Sequence, residues 1–237
     1  MTASAQFSVE IAPEYFIWQE DTPFGTLEER GPRVVLGASY KMARQEGFLL
    51  GGSAKAYYGS VDYEGFLQDG SPKTSVTEYV GGLVEGQIIF RRKHQNYFGD
   101  AVLALGGDLW TRSLQGSGGY DEDWRVAYAK LAYEIGPQLQ SGWIGTLGIK
   151  YPFYTAETVH LSALGPGISD VELEPGKNVS VCLEGGYRFK QHFSLAVYFD
   201  GYWFGMSDVK PLGSTGLGFA QPESKQFQIG LKGRWTF

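Results

Sequence analysis

QFQIGLKGRWTF, the stretch at residues 226–237, decides the fold class of this chain. One alternating set of its side chains is apolar and consists of Phe227, Ile229, Leu231, Gly233, Trp235 and Phe237. The other set consists of Gln226, Gln228, Gly230, Lys232, Arg234 and Thr236. Residues two apart in a β-strand share a face, so the stretch is predicted to be a strand with one apolar and one polar face.

The same alternation recurs along the chain. It predicts ten strands, at about 7–19, 32–42, 48–64, 76–91, 98–112, 124–136, 142–157, 178–190, 193–207 and 225–237. Each is long enough to cross a bilayer, because a tilted spanning strand needs about 9 to 11 residues. We see no linker or change of composition, so residues 1–237 are predicted to form a single domain.

The connections between the predicted strands alternate in length. The short ones are Ala43–Gly47, Arg92–Tyr97, Gly136–Gly142 and Gln191–His192. The long ones are Glu20–Gly31, Phe66–Ser75, Ser113–Asp123, Thr158–Lys177 and Asp208–Ser224. An even number of strands with short turns at one end and long loops at the other is typical of an up-and-down transmembrane barrel.

Composition agrees with an all-β protein and excludes some functions. The 34 Gly, 15 Tyr and 15 Phe among 237 residues favour turns and strands. A mean hydropathy of -0.21 does not exclude a membrane barrel, since only every second residue of a strand faces lipid. The net charge of -6 argues against a nucleic-acid partner. With one cysteine, Cys182, the fold does not depend on an intramolecular disulfide.

Alternation alone does not tell a membrane barrel from a soluble one, because the apolar face of a soluble barrel points inward. Two features favour the membrane. One is the aromatic closing strand, and the other is the set of aromatic residues near the ends of apolar faces, as in interfacial girdles. That set is Tyr15, Tyr40, Tyr133, Trp143, Tyr187, Trp203 and Trp235.

The strand 226–237, with its terminal Phe237, resembles the closing strand of Gram-negative outer-membrane β-barrel proteins. The resemblance is to the general class, with no specific family identified. It implies a closed antiparallel barrel in the bacterial outer membrane, with periplasmic short turns and extracellular long loops. It also implies contact with lipid and lipopolysaccharide, and binding of 226–237 by the barrel assembly machinery. We expect a monomer. Residues 1–6 are expected to be a flexible terminus or the end of a processed leader, since Ala3-Ser4-Ala5 resembles a cleavage site.

The first functional hypothesis is a narrow passive conduit for small solutes or cations. The polar faces would line the lumen, where rings of charge set ion selectivity. The candidate conduction residues are Glu85, Asp108, Arg112, Lys130, Glu184, Arg188 and Lys232. The alternative for the same residues is an ion-pair network that fills the barrel, because unpaired buried charges are costly.

The long loops are acidic, and Asp121, Glu122 and Asp123 form their densest cluster. We expect these three to lie in an extracellular acidic rim. The acidic loops together would concentrate cations and bind divalent ions that bridge to lipopolysaccharide phosphates, or would form only a solvated surface that aids solubility. The cluster lacks the glycine and terminal glutamate of a calcium loop, so no metal site is expected in the protein. The sequence indicates no cofactor.

Two further hypotheses concern the outer end. In one, the lumen is plugged and the loops bind a surface partner, with Phe24 and Tyr120 as contact points. In the other, the chain is a rim hydrolase that uses His160. In its strand count of ten, the predicted barrel resembles the omptin proteases, which place acidic residues and a histidine at the outer rim. Their Asp-x-His pair is absent, because position 158 is Thr158. We therefore expect no enzymatic activity.

Overall fold

The structure, a computed structural model, describes residues 4–43, 46–66, 70–138, 141–190 and 192–237. Its long strands are β1 (Ser4–Thr22), β2 (Gly25–Ala43), β3 (Gly47–Phe66), β4 (Pro72–His94), β5 (Tyr97–Leu114), β6 (Asp121–Pro137) and β7 (Gly142–Val159). After a 3-10 helix, η1 (Leu161–Leu164), come β8 (Val171–Leu173), β9 (Gly176–Asn178), β10 (Ser180–Phe189), β11 (Phe193–Gly205), β12 (Lys210–Pro211), β13 (Gly218–Phe219) and β14 (Ser224–Thr236).

Ten of these strands form a closed antiparallel barrel. β1 to β7 pair in sequence order, β7 pairs with β10, and β10, β11 and β14 follow. β14 then pairs with β1, where Val9 lies opposite Trp235 and Ile17 opposite Phe227. The predicted fold class is therefore confirmed, and residues 226–236 belong to β14, the strand that closes the barrel.

The apolar faces point outward. One exposed apolar residue on each of the ten strands marks an apolar band around the barrel: Ile11, Leu36, Leu50, Val84, Leu105, Leu131, Leu147, Leu183, Val197 and Leu231. Their relative exposure runs from 44% at Leu183 to 63% at Leu147. A belt of this kind suits acyl chains, and closure satisfies the backbone hydrogen bonds that lipid cannot.

The predicted aromatic girdle is also present. Six of its seven members are exposed on the outer surface, namely Tyr15, Tyr40, Tyr133, Trp143, Trp203 and Trp235. Tyr187 is partly buried because Trp143 packs edge-on against it, with ring centroids 5.4 Å apart. No helix among the described residues is long and apolar enough to cross a bilayer.

The prediction of a first long loop at Glu20–Gly31 is wrong. β1 and β2 continue through it, and Thr22 pairs with Gly25 across a two-residue turn. The outward residues at this level are polar and include Glu28, Arg30, Asp62 and Glu78, so the barrel extends beyond the apolar band. Where both faces of a strand are polar, the sequence shows no alternation of apolar and polar residues, so the pattern predicts a loop instead of a strand.

At the opposite end, Ser4 to Gln6 belong to β1 and pair with β2. Residues 1–3, the rest of the segment expected to be a flexible terminus or the end of a processed leader, lie outside the described residues.

The last two long connections, residues 160–179 and 206–223, form the outer lid. Buried apolar side chains hold it together: Val159, Leu161, Val171, Leu173 and Leu212, with Tyr120, Ile168 and Phe219 packed against them. Gln221 Nε2 donates to Glu20 Oε1 at 3.2 Å, which ties the lid to β1. Val159 faces inward at the outer end of β7 and is fully buried, so the lid covers this end of the barrel.

Candidate functional site

An aromatic plug fills the lumen between the apolar band and the lid. It consists of Phe16, Trp18, Tyr79, Trp110, Trp124, Tyr202 and Phe204, all 4% exposed or less. Trp110 and Trp124 stack with ring centroids 5.3 Å apart and planes 7° apart. Trp18 packs edge-on against Trp124 at 5.2 Å. These rings come from five different strands, and alternation turns all of them inward.

A buried ionic cluster lies beside the plug on its outer side. Arg112 contacts three carboxylates, at 3.1 Å from Glu20, 2.7 Å from Glu29 and 2.7 Å from Glu122. The plug takes part, because Trp18 Nε1 donates to Glu20 at 2.6 Å. Arg112, a predicted conduction residue, thus fills the outer half of the barrel together with the plug.

Glu157 has an unusual environment in this region. It faces inward on β7 and is 0% exposed, and neither carboxyl oxygen has a hydrogen-bond partner among the described residues. The outward residues in neighbouring rows, Asp123 and Thr158, are polar, so Glu157 lies beyond the apolar band. Burial, followed by the Glu122 and Glu20 carboxylates, raises the pKa of Glu157 well above its ordinary 4.5. We therefore assign a neutral, protonated carboxyl.

Below the plug, the lumen contains a cavity of about 1200 Å³. It extends from Asp108 to Glu46, Lys93 and Gln138 at the short-turn end. Ten basic residues line it: Arg33, Lys41, Lys55, Arg91, Lys93, Lys130, Lys150, Arg188, Lys232 and Arg234. Eight acidic residues line it: Glu10, Glu14, Glu46, Glu85, Asp108, Glu134, Glu184 and Asp200.

Six of the seven predicted conduction residues line this cavity, and Arg112 alone lies above it. Four of the six form ion pairs: Lys130 Nζ lies 2.7 Å from Glu85 Oε2, and Lys232 Nζ lies 2.6 Å from Glu184 Oε2. Asp108 accepts hydrogen bonds from the hydroxyls of Tyr57 at 2.7 Å and Tyr202 at 3.1 Å. The interior charges are thus largely paired, as the ion-pair hypothesis for the lumen expects.

Arg188 is the exception among these candidates. Its NH1 group donates to the backbone oxygen of Pro137 at 3.4 Å. No carboxylate of the described residues lies within ion-pair distance of it.

A buried ion pair that the sequence reasoning missed forms the floor of the plug. Arg33 donates through Nε at 2.8 Å and NH2 at 2.6 Å to Glu14 Oε1. Its guanidinium also lies over the Phe16 ring, 3.9 Å from the centroid. Position 33 lies between Pro32 and Val34 at the start of a predicted strand, and its alternation with Val34 was the available signal.

The three predicted rim carboxylates are consecutive on β6, so strand alternation places them on different faces of the barrel wall. Asp121 is exposed, but Glu122 faces the lumen and binds Arg112, so the expectation of three rim carboxylates is wrong for Glu122. Asp123 faces outward and accepts a hydrogen bond from Thr111 at 2.6 Å. Among the residues that the structure describes, no group of His, Cys, Asp or Glu is arranged to hold a metal ion.

His160 links the lid to the barrel. Its Nε2 lies 3.0 Å from Asp123 and its Nδ1 lies 3.3 Å from Asp170, so both ring nitrogens face carboxylates. The hydrogen bond with Asp123 is the largest influence that raises the pKa of His160 above 6.5. Of the predicted contact points, Phe24 is exposed and Tyr120 packs into the lid.

A closed ten-stranded barrel with an apolar outer band, a polar lumen and short turns at one end is an outer-membrane β-barrel protein. The chain therefore belongs to this general class and lies in the bacterial outer membrane.

The fold is shared with one solved outer-membrane protein, and two further solved structures are less similar to this chain. The outer membrane protease OmpT from Escherichia coli matches at 10% identity and a TM-score of 0.55, over 100% of this chain and 99% of that chain. The Pseudomonas putida toluene transporter TodX matches at 10% identity and a TM-score of 0.42, over 100% and 90%. The Yersinia pestis attachment invasion locus protein Ail matches at 11% identity and a TM-score of 0.30, over 100% of both chains.

No protein family and no curated protein matches the sequence. The likeness to OmpT shows the fold alone.

Proposed function

We propose that this chain is a plugged outer-membrane barrel that binds a partner at the cell surface, rather than an open conduit. The observation that carries this proposal is the filled outer half of the lumen, where seven aromatic side chains pack below a covering lid. Exposing a fully buried large apolar side chain costs about 1.5 to 3 kcal/mol. Moving three rings aside would therefore cost roughly 5 to 9 kcal/mol, which disfavours a standing open path.

The outer lid offers a surface for such a partner. Met206, Val209 and Leu217 are 69%, 69% and 61% exposed on it, away from the apolar band. Its acidic residues are Asp170, Glu172, Glu174, Asp208 and Glu223, and its Lys residues are Lys177 and Lys210. A partner that fits would be a protein or peptide with an apolar patch and a basic margin.

The surroundings of the barrel form part of the proposal. Acyl chains would contact the apolar band, and lipopolysaccharide would meet the acidic outer ends through divalent ions. The assembly machinery would bind residues 226–237 during insertion. We propose a monomer without enzymatic activity, since the fold likeness to a protease carries no chemistry and both ring nitrogens of His160 face carboxylates.

Planar-bilayer recording tests whether the lumen conducts. The purified protein is expected to give no steady conductance, because the plug blocks the water path. A steady conductance that changes on Asp108→Asn or Glu184→Gln would contradict the proposal and restore the passive conduit.

Binding at the lid is tested with a labelled peptide of alternating Leu and Lys, using the protein in zwitterionic lipid nanodiscs and empty nanodiscs as reference. The triple variant Met206→Ser, Val209→Ser, Leu217→Ser should lose most of the saturable binding. Val76→Ser, which removes an exposed apolar side chain near the outer end of β4, should keep it. Equal binding by the triple variant and the unmodified protein would refute the lid as the binding surface.

A further inference from the structure

The cavity below the plug contains a guanidinium with no carboxylate partner among the described residues. Arg188 faces the cavity from β10, close to the short-turn end, where it pairs with Gly142 of β7 and Ser194 of β11. A guanidinium has five N–H donors in a planar fork, and one carbonyl contact at 3.4 Å occupies one of them. The remaining donors have no partner among the residues that the structure describes and can bind a ligand in the cavity.

A second guanidinium lies on the same wall. Ser194 pairs with Arg188 on one side and with Arg234 on the other, so the three residues share a row across β10, β11 and β14. Two strand spacings place the backbones of the two arginines about 10 Å apart. Arg234 donates to Glu10 at 3.2 Å through Nε and NH2. Gly142, on the other side of Arg188, has no side chain to crowd this position.

The charge of the cavity differs in sign from the charge of the whole chain. Ten basic and eight acidic residues line it. Asp100 lies behind Lys41 and Arg91 and binds both, at 2.9 Å and 2.7 Å, which still leaves one positive charge in excess. The chain as a whole carries -6. The inner end therefore favours anions, while the outer lid is acidic.

We propose that this cavity binds a small periplasmic solute that carries a phosphate or carboxylate group, held by Arg188 with support from Arg234 and Ser194. Both oxyanions match the forked geometry of a guanidinium. The volume of about 1200 Å³ exceeds that of most ligand pockets, so a small solute would bind together with water. The proposal is independent of surface binding, because the plug separates the cavity from the lid.

Titration calorimetry tests the proposal on the full chain in zwitterionic detergent, with inorganic pyrophosphate and a tricarboxylate as probes at matched ionic strength. We expect saturable binding of at least one probe, and the probe that binds identifies the anionic group. Arg188→Gln should weaken binding by about tenfold or more, since it removes a charge-assisted hydrogen-bonding fork. Arg188→Lys, which keeps the charge and loses the fork, should give an intermediate affinity.

Arg30→Gln is the matched control, because it makes the same change of charge on the exposed outer surface. It should bind like the unmodified protein. Heat-dependent gel mobility verifies that each variant is folded. The proposal is overturned if neither probe binds saturably, if folded Arg188→Gln binds as tightly as the unmodified protein, or if Arg30→Gln loses as much affinity. Surface binding would stand in each case, since its assay involves different residues.

Discussion

Replacing Glu157 with Gln should stabilise the protein, although most substitutions of buried residues destabilise. The Glu157 carboxyl is buried without a hydrogen-bond partner among the described residues, next to Glu122 and Glu20. Gln has nearly the same shape as a protonated Glu and no charge to lose. Because the folded protein holds the proton that the unfolded chain releases, rising pH favours the unfolded state of the unmodified protein.

The size of the effect follows from linkage. Above the ordinary pKa of 4.5, each pH unit costs the unmodified protein up to about 1.4 kcal/mol of stability, until the raised pKa of folded Glu157 is reached. The Gln variant has no carboxyl at this position, so its stability does not fall with pH for this reason. We expect the two proteins to be equally stable near pH 4 and the variant to be more stable by about 1 to 3 kcal/mol at pH 8, as for a buried polar group without partners.

The assay is equilibrium urea unfolding in lipid vesicles at pH 5 and pH 8, followed by tryptophan fluorescence. Trp18, Trp110 and Trp124 are buried in the plug, so their emission reports on this region. Glu174→Gln is the control, since Glu174 is exposed between β8 and β9. The assignment of a neutral carboxyl would be refuted if the Glu157→Gln variant were less stable than the unmodified protein at pH 8. It would also be refuted if the difference in the free energy of unfolding were the same at both pH values.

The remaining predictions concern the plug and the lid. Arg33→Met should lower the free energy of unfolding by about 3 to 5 kcal/mol because it leaves Glu14 buried and unpaired, and adding Glu14→Gln should restore much of it, as measured by urea unfolding. Trp124→Ala should cost about 3 to 5 kcal/mol in the same assay, since it empties the centre of the ring stack. The raised pKa of His160 means that the stabilisation from its protonated ring is fully present below pH 6.5 and is lost as pH rises through the raised value. The protection of lid amides against exchange, corrected for the base-catalysed rise of intrinsic exchange with pH, should therefore fall at high pH, and His160→Gln should remove that fall; an unchanged pH dependence of the protection in the variant would assign it to other groups.

The sequence alone determined the class of protein and the direction of its faces. Alternation in 226–237 and in the other predicted segments specifies strands, and girdle aromatics such as Trp143 and Trp235 indicate which face meets lipid. This was possible because the bilayer imposes the same local rule on every strand. The rule fails at Glu20–Gly31, where water surrounds the barrel and polar residues occupy both faces.

Only the tertiary structure decided which inward side chains meet. Arg112 contacts Glu20 from 92 positions away, and Tyr198 binds Glu14 across 184 positions. The packing of the seven plug rings depends on the closure of the barrel. The same holds for Glu157 and Arg188, which find no ionic partner among the described residues. Alternation predicts that a side chain points inward. Which side chain it contacts inside the barrel depends on strand register and barrel radius, and no local sequence pattern encodes these.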